Sequence, residues 1–194
     1  VIGVVQQLTG INVIFFYAPS IFEQSGIGTD TAFIQAIWVG LINVIFTIVA
    51  VWAIDEFGRK PLLLFGLGGI VISMSLCAYG FQDPDALNPR LILFAILMFV
   101  ASFAMSLGPV MWVLFSEIFP NHIRGIAISI VTVVNSLCSF LVQLIFPWEL
   151  SNFGPVITFL SYAVVAAIGL IFVLFFLPET KGKSLEAIAN ELSR

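Results

Sequence analysis

The residues of this 194-residue chain best suited to chemistry carry no charge. Gln6, Gln7 and Asn12 stand close together near its start, Asn43 follows, and Asn135 lies further on. Trp112 closes the run Gly108-Pro109-Val110-Met111-Trp112. An amide offers both a donor and an acceptor, as a sugar hydroxyl does. An indole adds an apolar face for the C–H side of a pyranose, and one N–H donor. With no Asp, Glu, Lys or Arg in the middle of the apolar runs that hold these groups, an ionic ligand is poorly matched. A neutral polyhydroxylated molecule fits best. Covalent chemistry lacks its parts. The single histidine, His122, sits in a polar break beside Asn121 and Arg124, so no base stands by a membrane nucleophile. Cys77 and Cys138 lie inside apolar runs, pack as small hydrophobes and frame no metal site. We therefore expect neither an enzyme nor a cofactor.

The elements that must position these groups follow from composition. Hydrophobic residues make up 60% of the chain and charged residues 9%, and the mean hydropathy is +1.14. A soluble domain runs at about 45–50% apolar and about 25% charged, so a soluble enzyme, a nucleic-acid binder and a disordered chain are excluded. The net charge of −4 also argues against a polyanionic partner. A bilayer core of about 30 Å needs about 20 apolar helical residues. Six segments meet that length: Val1–Phe22, Thr31–Ile54, Leu62–Phe81, Leu91–Phe115, Ile126–Phe146 and Gly154–Leu177. The breaks between them collect Gly, Pro and polar residues, and the spans are apolar all round rather than alternating, so they are helices. The second, fourth and sixth breaks hold Arg59, Lys60, Arg124, Lys181, Lys183 and Arg194, against Arg90 alone in the others. That asymmetry puts the first set, and the C-terminus, in the cytoplasm.

Polarity inside the spans is unevenly shared. Span one has Gln6, Gln7 and Asn12, span two Gln35 and Asn43, and span five Asn135 and Gln143, whereas spans three and six have none. Thr132, Asn135, Ser136, Ser139 and Gln143 fall within about 100° of helical arc. In a straight helix Gln6, Gln7 and Asn12 would spread over most of the circumference, so span one should unwind near Thr9-Gly10. Span four should bend at Gly108-Pro109, where proline frees a backbone carbonyl. Interhelical glue has no reason to skip two spans. The expectation is that spans one, two, four and five line an aqueous cavity, while three and six face lipid.

These motifs carry a resemblance. The chain resembles the C-terminal six-helix half of sugar porters of the major facilitator superfamily, the group of xylose– and glucose–proton symporters and facilitative glucose carriers. The resemblance rests on Gln6-Gln7-Leu8-Thr9-Gly10-Ile11-Asn12, Asp55-Glu56-Phe57-Gly58-Arg59-Lys60 and Gly108-Pro109-Val110-Met111-Trp112. It extends to Ser116-Glu117-Ile118-Phe119-Pro120 with Arg124-Gly125, and to Pro178-Glu179-Thr180-Lys181-Gly182. It implies an all-α integral membrane protein with the second half of a twelve-helix fold over residues 1–177, followed by a cytoplasmic tail. It further implies that Gln6, Gln7, Asn12, Asn43, Phe103, Trp112 and Asn135 bind a sugar, and that Phe16 and Tyr17 form an extracellular gate, with Gly108 and Pro109 as a hinge. Asp55, Arg59, Glu117 and Arg124 would form a cytoplasmic charge network, with Glu179 also contacting the other half. Glu56 departs from the pattern, where arginine is usual.

The implied function is alternating-access transport of a neutral hexose or pentose across the plasma (inner) membrane, proton-coupled in the full-length protein. The acidic residue expected in symporters would lie on the absent first half. Val1 is not Met and already reads as the inside of a helix, so the sequence reads as a fragment whose upstream half is a partner along with lipid, sugar and protons. A sugar sensor or a polyol carrier is the alternative, and uniport stands beside symport as a mode of transport. After Pro178, a tail with Leu185, Ile188 and Leu192 at helical spacing should lie against the cytoplasmic ends of the bundle.

Overall fold

The computed structural model describes residues 1–26, 29–83, 87–119 and 122–182, and among them every regular element is a helix. The amphipathic stretch expected beyond Ser184 lies outside the described residues. The helices are α1 (Ile2–Leu8), α2 (Ile11–Gln24), α3 (Thr29–Phe57), α4 (Arg59–Gly80), α5 (Pro89–Met105), α6 (Leu107–Ile118) and α7 (Arg124–Phe176). Taken with their breaks, the stretches Ile2–Gln24, Thr31–Phe57, Arg59–Gly80, Pro89–Ile118 and Arg124–Phe176 are each long and apolar enough to cross a membrane.

The last stretch is two spans. Gly154 breaks the 53 residues of α7 with φ 74° and ψ 169°, a conformation that only glycine adopts freely, and Pro155 then starts the next helix. Tyr162 Oη donates to Glu149 Oε2 at 3.4 Å, although the two residues are 13 apart. A continuous helix would separate them by roughly 20 Å, so the chain reverses between them. The two limbs, 124–153 and 155–176, are the expected spans five and six, with five running on to the turn.

The first span breaks where it was expected to. α1 stops at Leu8, and Gly10 takes φ 85° before α2 begins. Span four breaks at Ser106, with φ −128° and ψ −90°, two residues ahead of the expected Gly108. Proline's missing N–H and its ring act on the carbonyl four residues back, here Met105, and that is where α5 ends.

Spans three and six do not simply face lipid. The helix α4 buries Leu63, Leu67, Ile70, Met74 and Cys77 completely, leaving outward an exposed stripe of Phe65, Ile72 and Tyr79. Gly66 and Gly69 lie against Ser106 and Ser102 so closely that neither could carry a Cβ. Small residues let two backbones approach, which is how membrane helices gain packing without a hydrophobic drive between them. Span six packs on the outer side of span one, with Gly169 against Val5 and the Tyr162 ring against Gly10. Together, α4 and the second limb of α7 form the support behind the helices that carry the amides.

Candidate functional site

An open cleft of about 420 Å³ is lined by Gln6, Gln7, Ile11, Asn12, Phe15, Asn43, Thr47, Phe103, Ala104, Gly108, Pro109, Trp112 and Asn135. All seven residues expected to bind the substrate lie on its wall, together with the two hinge residues. The lining comes from spans one, two, four and five, and none from three or six. Its volume falls within the roughly 300–1,000 Å³ of small-molecule sites, and no lining residue is ionisable. The sequence reading missed Ile11, Phe15, Thr47 and Ala104. Thr47 was legible, because it follows Asn43 by one helical turn and donates to the Asn43 carbonyl at 2.7 Å.

A belt of amides joins spans one, four and five. Gln6 Nε2 donates to the Leu107 carbonyl at 2.8 Å, next to the break in span four. Asn135 Nδ2 donates to Gln6 Oε1 at 2.8 Å and to the Gly3 carbonyl at 2.9 Å. Gln7 Nε2 reaches Asn135 Oδ1 at 2.9 Å and Gln6 Oε1 at 3.2 Å. Asn12 Nδ2 reaches Gln7 Oε1 at 2.6 Å and Ser139 Oγ at 2.7 Å. The last two bonds need the break at Gly10, since five residues of straight helix would put Gln7 and Asn12 about 140° apart.

The remaining amides and the aromatic pair stand elsewhere. Gln35 does not line the cleft, and its Oε1 is enclosed without a hydrogen-bond partner among the described residues. Phe16 and Tyr17 diverge: Phe16 is 69% exposed, whereas Tyr17 packs on Phe146 with ring centroids 5.1 Å apart. Tyr17 Oη donates to the Gln143 carbonyl at 3.5 Å. Of the expected polar stripe on span five, Asn135 and Ser139 bond span one through their side chains and Gln143 through its backbone carbonyl, while Thr132 and Ser136 are exposed.

The charged residues gather at one end of the bundle. Arg59 grips Glu117 with three hydrogen bonds, Nη2 to Oε1 at 2.7 Å and Nε to the two oxygens at 3.0 and 3.2 Å. Such a forked pair, at 13% and 25% side-chain exposure, is stronger than a loose surface ion pair. Thr180 Oγ1 donates to Glu117 Oε2 at 2.7 Å, and Asp55 stands at the margin, 3.8 Å from Arg59. Arg124 does not join this network. Its Nε donates to the Phe119 carbonyl at 3.2 Å, five residues back, because the helix it begins starts just beyond that turn.

Within this half, Glu179 stands at a helix N-terminus. Its carboxylate caps α4, accepting from Arg59 N at 3.1 Å and Lys60 N at 3.0 Å. Gly58, at φ 90°, makes this possible, since a Cβ there would stand 2.9 Å from the carboxylate. The free N–H groups and dipole of a helix N-terminus attract an anion. Lysine side chains extend the stitching, Lys181 to the Glu56 carbonyl at 2.7 Å and Lys60 to the Leu174 carbonyl at 3.0 Å. Glu56 and its side chain remain exposed.

Partial burial pushes the Glu179 carboxyl up, but the backbone N–H groups of Lys181, Arg59, Lys60 and Thr180 outweigh it and hold the group below its ordinary 4.5. A depressed carboxylate contributes stability above its unfolded value and loses it as pH falls through the folded one. The thermal midpoint of Glu179→Gln should therefore lie below that of the parent at neutral pH, with the gap closing below about pH 4. A gap that stays constant from pH 7 down to about pH 3 would show that the cap does not depend on charge.

Three comparisons bear on this arrangement. The family profile described as "Sugar (and other) transporter" matches residues 1–192. The D-xylose-proton symporter of Escherichia coli (strain K12) is 40% identical over 195 residues, covering 96% of this chain and 39% of the relative. The glucose facilitated diffusion protein of Zymomonas mobilis is 39% identical over 191 residues, covering 94% and 40%. A solved structure of the proton:xylose symporter XylE bound to 6-bromo-6-deoxy-D-glucose superposes with a TM-score of 0.87 at 39% identity, over 98% of this chain and 41% of that one. The chain thus spans about two fifths of the length of the relatives it matches.

Proposed function

The chain belongs to the sugar-porter family of the major facilitator superfamily, and on that premise we propose that it forms one six-helix half of a carrier for a neutral hexose or pentose. In the intact protein, residues 1–177 face a second half across the cleft, and the two halves rock about it so that the cleft opens to one side of the membrane at a time. The observation that carries this reading is the uncharged cleft, where Gln6, Gln7, Asn12, Asn43, Phe103, Trp112 and Asn135 meet. Amides and an indole hydrogen-bond hydroxyl groups and cover the C–H face of a pyranose. The sugar undergoes no chemistry.

The breaks at Gly10 and Ser106 are the flexible points through which the outer parts of spans one and four close over the sugar, with Phe16 and Tyr17 at the extracellular mouth. Arg59, Lys60, Arg124 and Lys181 place the charged end at the cytoplasmic face. There Arg59, Glu117 and Asp55 hold the cytoplasmic side shut in one state and let go in the other. A shift of one such equilibrium by about 1.4 kcal/mol changes the populations tenfold, so a partly exposed network is strong enough to act as a latch.

Transport is coupled to protons through the other half. The test is uptake of labelled D-xylose, D-glucose and inositol by the intact protein in liposomes, with and without a pH gradient. We expect saturable uptake of a pentose or hexose, with accumulation only when the gradient is present. Uptake of inositol alone would make the protein a polyol carrier, and sugar binding without flux would make it a sensor.

A further inference from the structure

Counting the protons of the amide belt gives its polarity. Both N–H bonds of Gln7, of Asn12 and of Asn135 are spent on protein acceptors. Gln6 spends one, on the Leu107 carbonyl, and its Oε1 already accepts from both Gln7 and Asn135. An amide oxygen accepts two hydrogen bonds. Unspent capacity on this wall is therefore one N–H of Gln6, set against acceptors on Asn12 Oδ1, which has no protein donor among the described residues, and on one lone pair each of Gln7 Oε1 and Asn135 Oδ1. The opposite wall differs. Neither the Asn43 amide nor the Trp112 indole N–H has a protein partner among the described residues, so most of the free donors stand there.

Ser139 completes this polarity from behind the wall. It does not line the cleft, yet its Oγ takes the second Asn12 proton at 2.7 Å and one from Gln143 Nε2 at 2.9 Å. We infer that Ser139 is a positioning residue that keeps Asn12 a hydrogen-bond acceptor toward the cleft, so that a substrate hydroxyl meeting Asn12 must donate. The inference rests on the sugar reading and adds to it the direction of the bonds. Selectivity follows, because a site built to accept from a hydroxyl rejects an analogue that cannot donate.

The probes are D-glucose, its monodeoxy analogues and its monodeoxyfluoro analogues. Fluorine replaces a hydroxyl at similar size and accepts weakly, but it cannot donate. Binding to the intact protein in liposomes should show at least one ring position where the fluoro analogue is as weak as the deoxy analogue, about tenfold below D-glucose. In Ser139→Ala, Asn12 regains a free N–H, and the fluoro analogue at that position should recover several-fold relative to D-glucose while the deoxy analogue does not. Ser139→Thr keeps the hydroxyl and should keep the parent pattern. A role in packing alone would weaken all these sugars together and leave their ratios unchanged.

The inference is overturned if fluoro analogues bind like D-glucose at every position, or if Ser139→Ala leaves the ratios as they were. Should Ser139→Ala yield no folded protein, Ser139→Cys, with its weak sulfur acceptor, is read on the same ratios. Failure of the parent to bind D-glucose and D-xylose would reject the sugar reading and this inference together. Unchanged ratios alongside sound D-glucose binding reject the inference alone.

Discussion

Gly10→Ala is expected to lower sugar affinity by at least about 100-fold and to lower the thermal midpoint. Two costs add at this position. The backbone sits at φ 85°, where an L side chain costs roughly 1–2 kcal/mol. The added Cβ would also stand 2.8 Å from two ring carbons of Tyr162. That ring cannot easily swing away, because it is buried and its hydroxyl is tied to Glu149 across the Gly154 turn. The chain can escape by straightening span one, which would break the Asn12 bonds to Gln7 and Ser139 and turn Asn12 out of the cleft. Equilibrium binding of D-xylose and D-glucose, with a melting curve for each variant, reads both effects. Gly40→Ala is the control, since no atom crowds a Cβ there and its φ is not positive. If Gly10→Ala binds as the parent does, the break is not what aims Asn12.

Asn135→Ala and Trp112→Ala are both expected to abolish measurable sugar binding, and they should differ in stability. Asn135 is 8% exposed and bridges the Gly3 carbonyl, Gln6 and Gln7. Losing three such bonds at about 0.5–1.5 kcal/mol each lowers stability, and the collapse of the belt should cost roughly 100-fold in affinity. Trp112 is 40% exposed and meets Phe115 edge-on with ring centroids 6.4 Å apart. Its removal takes away a stacking face and the indole donor while leaving the helix packing in place. Binding should vanish with the thermal midpoint almost unchanged. Neither change makes a span less apolar overall, so membrane insertion should proceed in both. Sugar affinity within about threefold of the parent in both variants would move the site elsewhere.

The architecture was legible because it depends on interactions between near neighbours in the chain. Runs of about 20 apolar residues become helices in lipid, since every backbone group must be satisfied within its own segment. Thr9-Gly10 and Gly154-Pro155 end helices through their own φ preferences, with no help from distant residues. Grouping the amides on some spans and not others was enough to name the helices around the cleft, because a polar group in a membrane needs either a partner or water. The same local reasoning faltered within span four, where the expected bend at Gly108-Pro109 moved back to Ser106, one helical turn before the proline.

What only the tertiary structure decided are the pairings between distant residues. Gln7 meets Asn135 from 128 positions away, and Glu179 reaches Arg59 from 120 positions away. Periodicity assigns a residue to a face, but it does not say which neighbour that face will meet or which amide proton is spent. That choice left Asn12 with its oxygen free, bound Glu179 to a helix N-terminus within its own half, and kept Arg124 out of the charge network. It also buried one face of α4, whose sequence is as apolar as that of a lipid-facing helix, since hydropathy alone cannot tell a lipid neighbour from a protein one.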